Sequence, residues 1–303
     1  MLGFFVFFGG KVMILLAINV LVGAAIQIYQ NYVSKELFKN RSDQYVFMLI
    51  VYIFSALSTL AANGFKVGAA SAFAIIDGAI YGILLPTTAF CLLQAYACGP
   101  MSLTSLCLTA SIMIPIIPSW VLWGDPITVN QIVGMAIVFA AIVLILNVGK
   151  AVSKEKVNKK WAIFCLIAFF ASGLEALTEK VLKVSPYAEQ ETAFLLSCFV
   201  TAGILTTIIL LYSYFVKKEK KTYKLTPKVA LPMVGLGIFT TVGGLLVLAC
   251  LARFPASVYF TINNGARLIV ITLVDIIFFK QKITPKQYAG LVLGIIGITL
   301  LGM

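Results

Sequence analysis

The sequence has no histidine. That removes the commonest proton shuttle and metal ligand, and with them most enzyme chemistries. Carboxylates are scarce, eleven Asp and Glu against 23 Lys and Arg, and no clustered catalytic pair of them stands out. The six cysteines, at 91, 98, 107, 165, 198 and 250, include no C-x-x-C pair. They read as small apolar packing residues, not as disulfides or a metal site. No phosphate-binding glycine loop is present, which argues against ATP-driven pumping. The expectation is a chain without catalytic residues, metal or cofactor, and so not an enzyme.

What the sequence has in abundance is apolar side chains, 61% of its 303 residues, with only 11% charged. Runs of about 20 uncharged residues recur along it, the length needed to cross a bilayer as a helix. The chain therefore reads as an all-α integral membrane protein, because the runs lack the alternation of barrel strands. Ten transmembrane helices are predicted at 12–32, 45–63, 77–98, 102–122, 128–148, 161–182, 193–215, 229–250, 256–278 and 285–302. Residues 1–10 have neither a basic n-region nor a small-residue cleavage site after them, so they are expected to extend the first helix.

A lysine-rich linker, 149–160, divides the chain into halves at 1–148 and 161–303 with five spans each. An odd number of spans per half puts the second half into the membrane from the opposite side, as an inverted repeat. The halves also resemble each other. A shift of 156 places Trp123 on Phe279, Ile127 on Ile283, Thr128 on Thr284, Gln131 on Gln287 and Gly134 on Gly290. Pro100 meets Pro255 at a shift of 155. A membrane protein built this way is most economically a transporter whose substrate site lies between the repeats.

The formal charge of +12 sits in the connections. Those after odd-numbered spans hold 17 Lys and Arg, against five on the other side (Lys11, Lys66, Lys180, Lys183 and Arg253). The positive-inside rule then makes the lysine-rich loops cytoplasmic and puts both termini outside a plasma membrane. Lysines so placed orient the chain and meet anionic lipid headgroups, so nucleic acid is not an expected partner.

Several motifs resemble those of the ten-helix, EamA-like members of the drug/metabolite transporter superfamily. Gly99-Pro100 and Phe254-Pro255 open spans four and nine, and Pro115 and Pro118 stand late in span four. Trp123-Gly124-Asp125-Pro126-Ile127-Thr128 and Phe279-Lys280-Gln281-Lys282-Ile283-Thr284 are each followed by Gln and then Gly. The resemblance covers 77–148 and 229–302 clearly, and spans one, two, six and seven weakly. It departs from the family where Asp125 and Gln281 replace the usual Glu. It implies a midplane cavity lined by the pairs three–four and eight–nine with spans one and six, spans five and ten as scaffold, and alternating access for small organic solutes.

Charged side chains inside a span are costly and usually face the bundle interior. Glu175 and Asp275 are the carboxylates well inside spans, Asp77 sits at the edge of span three, and Arg267 is the internal cation. Ser172, Glu175 and Glu179 share one face of span six, and Asn19, Gly23, Gln27 and Asn31 form a polar stripe along span one. Span nine carries Thr261, Asn263, Asn264, Arg267 and Asp275. The expected substrate site gives Glu175 the cationic end of a zwitterion and Arg267 the anionic end. Asn19, Gln27, Asn263 and Asn264 would add neutral hydrogen bonds, and Tyr96 and Tyr259 flank the repeat motifs. Glu175 and Asp275 are also the candidates for proton or ion coupling. Alternatively, Glu175 or Asp275 simply neutralises Arg267 as a buried pair. Tyr29, Tyr81, Trp120 and Trp123 read as an interfacial belt.

Gly78 and Gly82 in span three, and Gly290, Gly294 and Gly297 in span ten, allow close helix packing. Across spans five and ten this serves a scaffold or a homodimer face equally. The function expected is secondary transport of a small polar, amino-acid-like metabolite. The alternatives are a multidrug or quaternary-amine exporter and, outside transport, a membrane scaffold. A scaffold would not explain the polar stripes.

Overall fold

A computed structural model describes residues 9–124, 128–148, 159–218, 222, 226–253, 256–278 and 285–301. The expected extension at the chain start, most of the linker, and the motif residues at 125–127, 254–255 and 279–284 lie outside the described residues.

The described residues form α1 (Gly9–Glu36), α2 (Arg41–Ala62), α3 (Ala72–Cys98), α4 (Met101–Thr109), a 3₁₀ turn (Ala110–Ile112), α5 (Met113–Trp123), α6 (Val129–Val148), α7 (Lys159–Val184), α8 (Glu191–Phe215), α9 (Pro227–Leu251), α10 (Ala256–Ile277) and α11 (Pro285–Leu301). Among the described residues, seven passages are long and apolar enough to cross a membrane, counting α4 through α5 as one. Shorter apolar stretches occupy Val129–Ala141 and Tyr288–Leu300. Large apolar side chains stay on the outside, Leu231 at 73% and Phe139 at 64% exposure, as a lipid-facing surface requires.

Local chemistry sets the helix starts. Asn40 caps α2 by accepting the Asp43 amide N–H at 3.0 Å, and Asp43 accepts the Asn40 amide N–H at 3.2 Å, a capping box. Ser71 Oγ accepts from the Ala74 amide at 3.2 Å and starts α3 five residues before the expected 77. Pro227 at the first position of α9 has no amide to leave unpaired.

The helices of the two halves interleave. α3 lies against α7 and α8, while α9 lies against α1 and α2. α10 packs on α1 and α4, α4 and α5 pack on α7, and α6 runs alongside α11. Glycines make the closest approaches possible. A Cβ on Gly78 or Gly82 of α3 would collide with the Phe194 or Cys198 carbonyl of α8. Gly237 of α9, 155 residues after Gly82, likewise leaves no room for a Cβ against the Val51 carbonyl of α2. Gly294 faces Leu106, and Gly297 faces Val138 and the Gly134 carbonyl, so these two glycines are used within the chain. Hydrogen bonds reinforce the two glycine contacts: Ser197 Oγ donates to the Ile75 carbonyl at 2.7 Å and Ser55 Oγ to the Gly237 carbonyl at 3.0 Å.

Gly82→Ala should therefore force α3 and α8 apart, at a cost of roughly 1–3 kcal/mol. Gly203→Ala is the control, since a Cβ there meets nothing within 4 Å. Thermal melting of the purified variants should show a lowered midpoint for the first and none for the second.

Candidate functional site

The site is built around a broken helix. α4 and α5 are separated by the 3₁₀ turn at Ala110–Ile112, and Pro115 and Pro118 follow within two turns. Proline has no amide, so the carbonyls four residues earlier, at Ser111 and Ile114, lose their helical partners. Irregular backbone at membrane depth is tolerated where it lines a cavity. Ser111 and Ile112 do line one, of about 180 Å³.

The cavity wall comes from both halves of the chain. Gln27 of α1, Tyr81 of α3, and Leu108 and Thr109 of α4 contribute from the first half. Ser172, Glu175, Ala176 and Glu179 contribute from α7, Val247 from α9, and Tyr259, Phe260, Asn263, Asn264 and Arg267 from α10. The α7 residues recur every three or four positions, so one helical face supplies them all.

Charge of both signs meets here. Arg267 lies directly over Gly23 of α1, where any Cβ would collide with the guanidinium. Among the described residues no ion pair within 4.0 Å joins Arg267 to Glu175, Glu179 or Asp275. The buried-pair alternative is thus not how Arg267 is held. Glu175 Oε1, Asn263 Oδ1 and Arg267 Nε are buried without a hydrogen-bond partner. Such atoms cost free energy unless something satisfies them. Glu179, at 9% exposure, accepts from the Tyr81 hydroxyl at 3.3 Å.

Of the side chains expected to bind substrate, Glu175, Arg267, Asn263, Asn264, Gln27 and Tyr259 line this cavity. Asn19 and Tyr96 are buried behind it. Asn19 Nδ2 donates to the Tyr259 hydroxyl, and Gln27 Oε1 accepts from Tyr96 at 3.3 Å and from Ser105 at 3.0 Å. They hold the rings and amides that face the cavity. Glu179 joins Glu175 and Ser172 in the wall, as their shared face predicts, whereas Tyr81 was expected in an interfacial belt. α3 begins five residues early, which puts Tyr81 deeper than its span position suggests.

Asp275, a coupling candidate, is elsewhere. It is fully buried, and its Oδ2 accepts the Ser102 amide at 2.9 Å in the first turn of α4. A carboxylate at a helix N-terminus satisfies an otherwise orphaned donor and meets the positive end of the helix dipole. Asp275→Ala should therefore lower stability by about 1–3 kcal/mol, seen as a lower melting midpoint. An unchanged midpoint would show that the contact does not hold α4 in place.

Residues 159–303 match the EamA-like transporter family. No curated protein matches the chain. A solved structure described only as the crystal structure of a protein is similar at a TM-score of 0.64 and 13% identity, over 94% of this chain and 97% of that chain. That likeness carries the fold alone, and it extends across the first half as well as the second. The polar cavity and the apolar helices around it agree with a membrane transporter of small molecules. The family match, over residues 159–303, is thus to EamA-like transporters of the drug/metabolite transporter superfamily.

Proposed function

We propose that the protein is a secondary transporter of amino-acid-like solutes, working by alternating access around the cavity between its halves. Ten spans arranged as two inverted five-helix repeats, with termini outside the plasma membrane, complete the reading. The observation that carries it is the meeting of Arg267 with Glu175 and Glu179 in one buried cavity, without an ion pair between them. A zwitterion would satisfy both signs at once. Asn263, Asn264 and Gln27 supply neutral partners, and Tyr259 closes the wall.

The packing supports the repeat. α3 packs on α8 as α9 packs on α2, through glycines 155 residues apart. Gly23 of α1 meets α10 just as Gly173 of α7 meets Ile114 of α5. The volume, about 180 Å³, is below the roughly 300–1,000 Å³ of drug-sized sites and favours a small solute. The quaternary-amine reading draws on the rings of Tyr81, Tyr259 and Phe260 beside two carboxylates.

Amino acids should raise the melting midpoint of the purified protein by mass action. Arg267→Gln should erase the shift, as should Glu175→Gln combined with Glu179→Gln. Stabilisation by tetraethylammonium with Arg267 dispensable would decide for the amine exporter. Amino-acid flux into sealed vesicles containing this protein alone is expected, and its failure would favour a scaffold. A C-terminal reporter active only in the cytoplasm should stay silent; a signal would reverse the orientation.

A further inference from the structure

Glu175 and Glu179 are one turn apart on α7, a spacing that sets Cβ atoms about 5–6 Å apart. Both face the cavity that Arg267 faces from α10. With all three ionised, the cavity carries one negative charge in excess. The excess is not evenly placed. Arg267 acts on Glu179 across the cavity, whereas Glu175 has the Thr88 hydroxyl and the like charge of Glu179 beside it. Glu179 also receives the Tyr81 hydroxyl, while Glu175 Oε1 has no partner. Like charges at this spacing repel, and a buried charge without compensation is costly. A zwitterion that satisfies Arg267 and Glu179 leaves Glu175 unmatched.

We propose that the cavity is built for a basic amino acid, with its carboxylate on Arg267, its α-ammonium on Glu179 and its side-chain cation on Glu175. The proposal rests on the amino-acid reading above and narrows it to substrates of net charge +1. A stem of three or four methylenes spans about one helical pitch, the separation of the two acids along α7. Ala176, next to Glu175, and Phe260 line the same cavity and give that stem apolar surface. Neutral amino acids would enter with Glu175 unpaired, which selects against them by leaving a buried charge unsatisfied.

The test is thermal melting of the purified full chain with L-lysine, L-ornithine, L-alanine, L-leucine, cadaverine or tetraethylammonium. At roughly ten times its dissociation constant, lysine should raise the midpoint by about 3 °C. Ornithine should match it, and alanine, leucine and cadaverine at the same concentration should shift it by less than half as much. Glu175→Gln should reduce the lysine shift to that of alanine, and Glu175→Asp, which keeps the charge, should restore the preference if the amide variant folds poorly. Alanine or leucine equalling lysine, or a lysine preference that survives Glu175→Gln, overturns the proposal and leaves the amino-acid site standing. Cadaverine equalling lysine removes Arg267 from the carboxylate role and overturns it as well. Stabilisation by tetraethylammonium alone overturns both this proposal and the reading beneath it.

Discussion

Hydrocarbon offers no hydrogen bonds, and most of this structure follows from that. Every backbone amide must find a partner inside the chain, which limits the spanning segments to helices. Every charge that enters a span must turn inward or to a snorkelling end. With few carboxylates and a single arginine in midspan, the places where charge turns inward are few, and three of them share one cavity. The same constraint explains the broken segment between α4 and α5. Carbonyls freed by Pro115 and Pro118 are tolerable because the irregular turn borders a cavity instead of lipid.

The cavity depends on a layer behind it. Asn19 reaches the Tyr259 hydroxyl, and Tyr96 and Ser105 hold the Gln27 amide. Trp161, at the start of α7, packs its indole against Gly99 and donates to Thr104 Oγ1 at 2.9 Å. Asp275 secures the first turn of α4. Side chains from both halves are therefore tied to the corner that opens into the broken segment. Gly23 is part of the same arrangement: with no side chain, α1 lets the Arg267 guanidinium lie against its backbone.

Much of this was legible in the sequence because lipid makes polarity informative. A greasy segment that carries Asn263, Asn264 and Arg267 has to hide them, and the 3.6-residue period says they hide together. Glu175 and Gln27 follow from the same argument. Burial alone, however, does not separate a wall residue from one just behind it. Asn19, Tyr96 and Asp275 show every sign of an inward polar side chain, yet they contact neighbouring helices and not the cavity. Tyr81 was obscured for a different reason. Hydropathy places a span end where apolar residues run out, but helices continue past that point. α3 starts at a serine cap five residues before the expected span, which moves Tyr81 inward. The glycine pairing of α3 with α8 and of α9 with α2 is a property of crossing helices, and one helix at a time does not reveal it.

Gly82 and Gly237 each seat a helix of one half against a helix of the other. Neither half completes its own packing. When α3 first enters the bilayer during synthesis, the α8 carbonyls it will rest on lie more than a hundred residues further along the chain. The close seat of α3 is therefore completed by helix pairing over a long stretch of chain, as is the seat of α2 against α9.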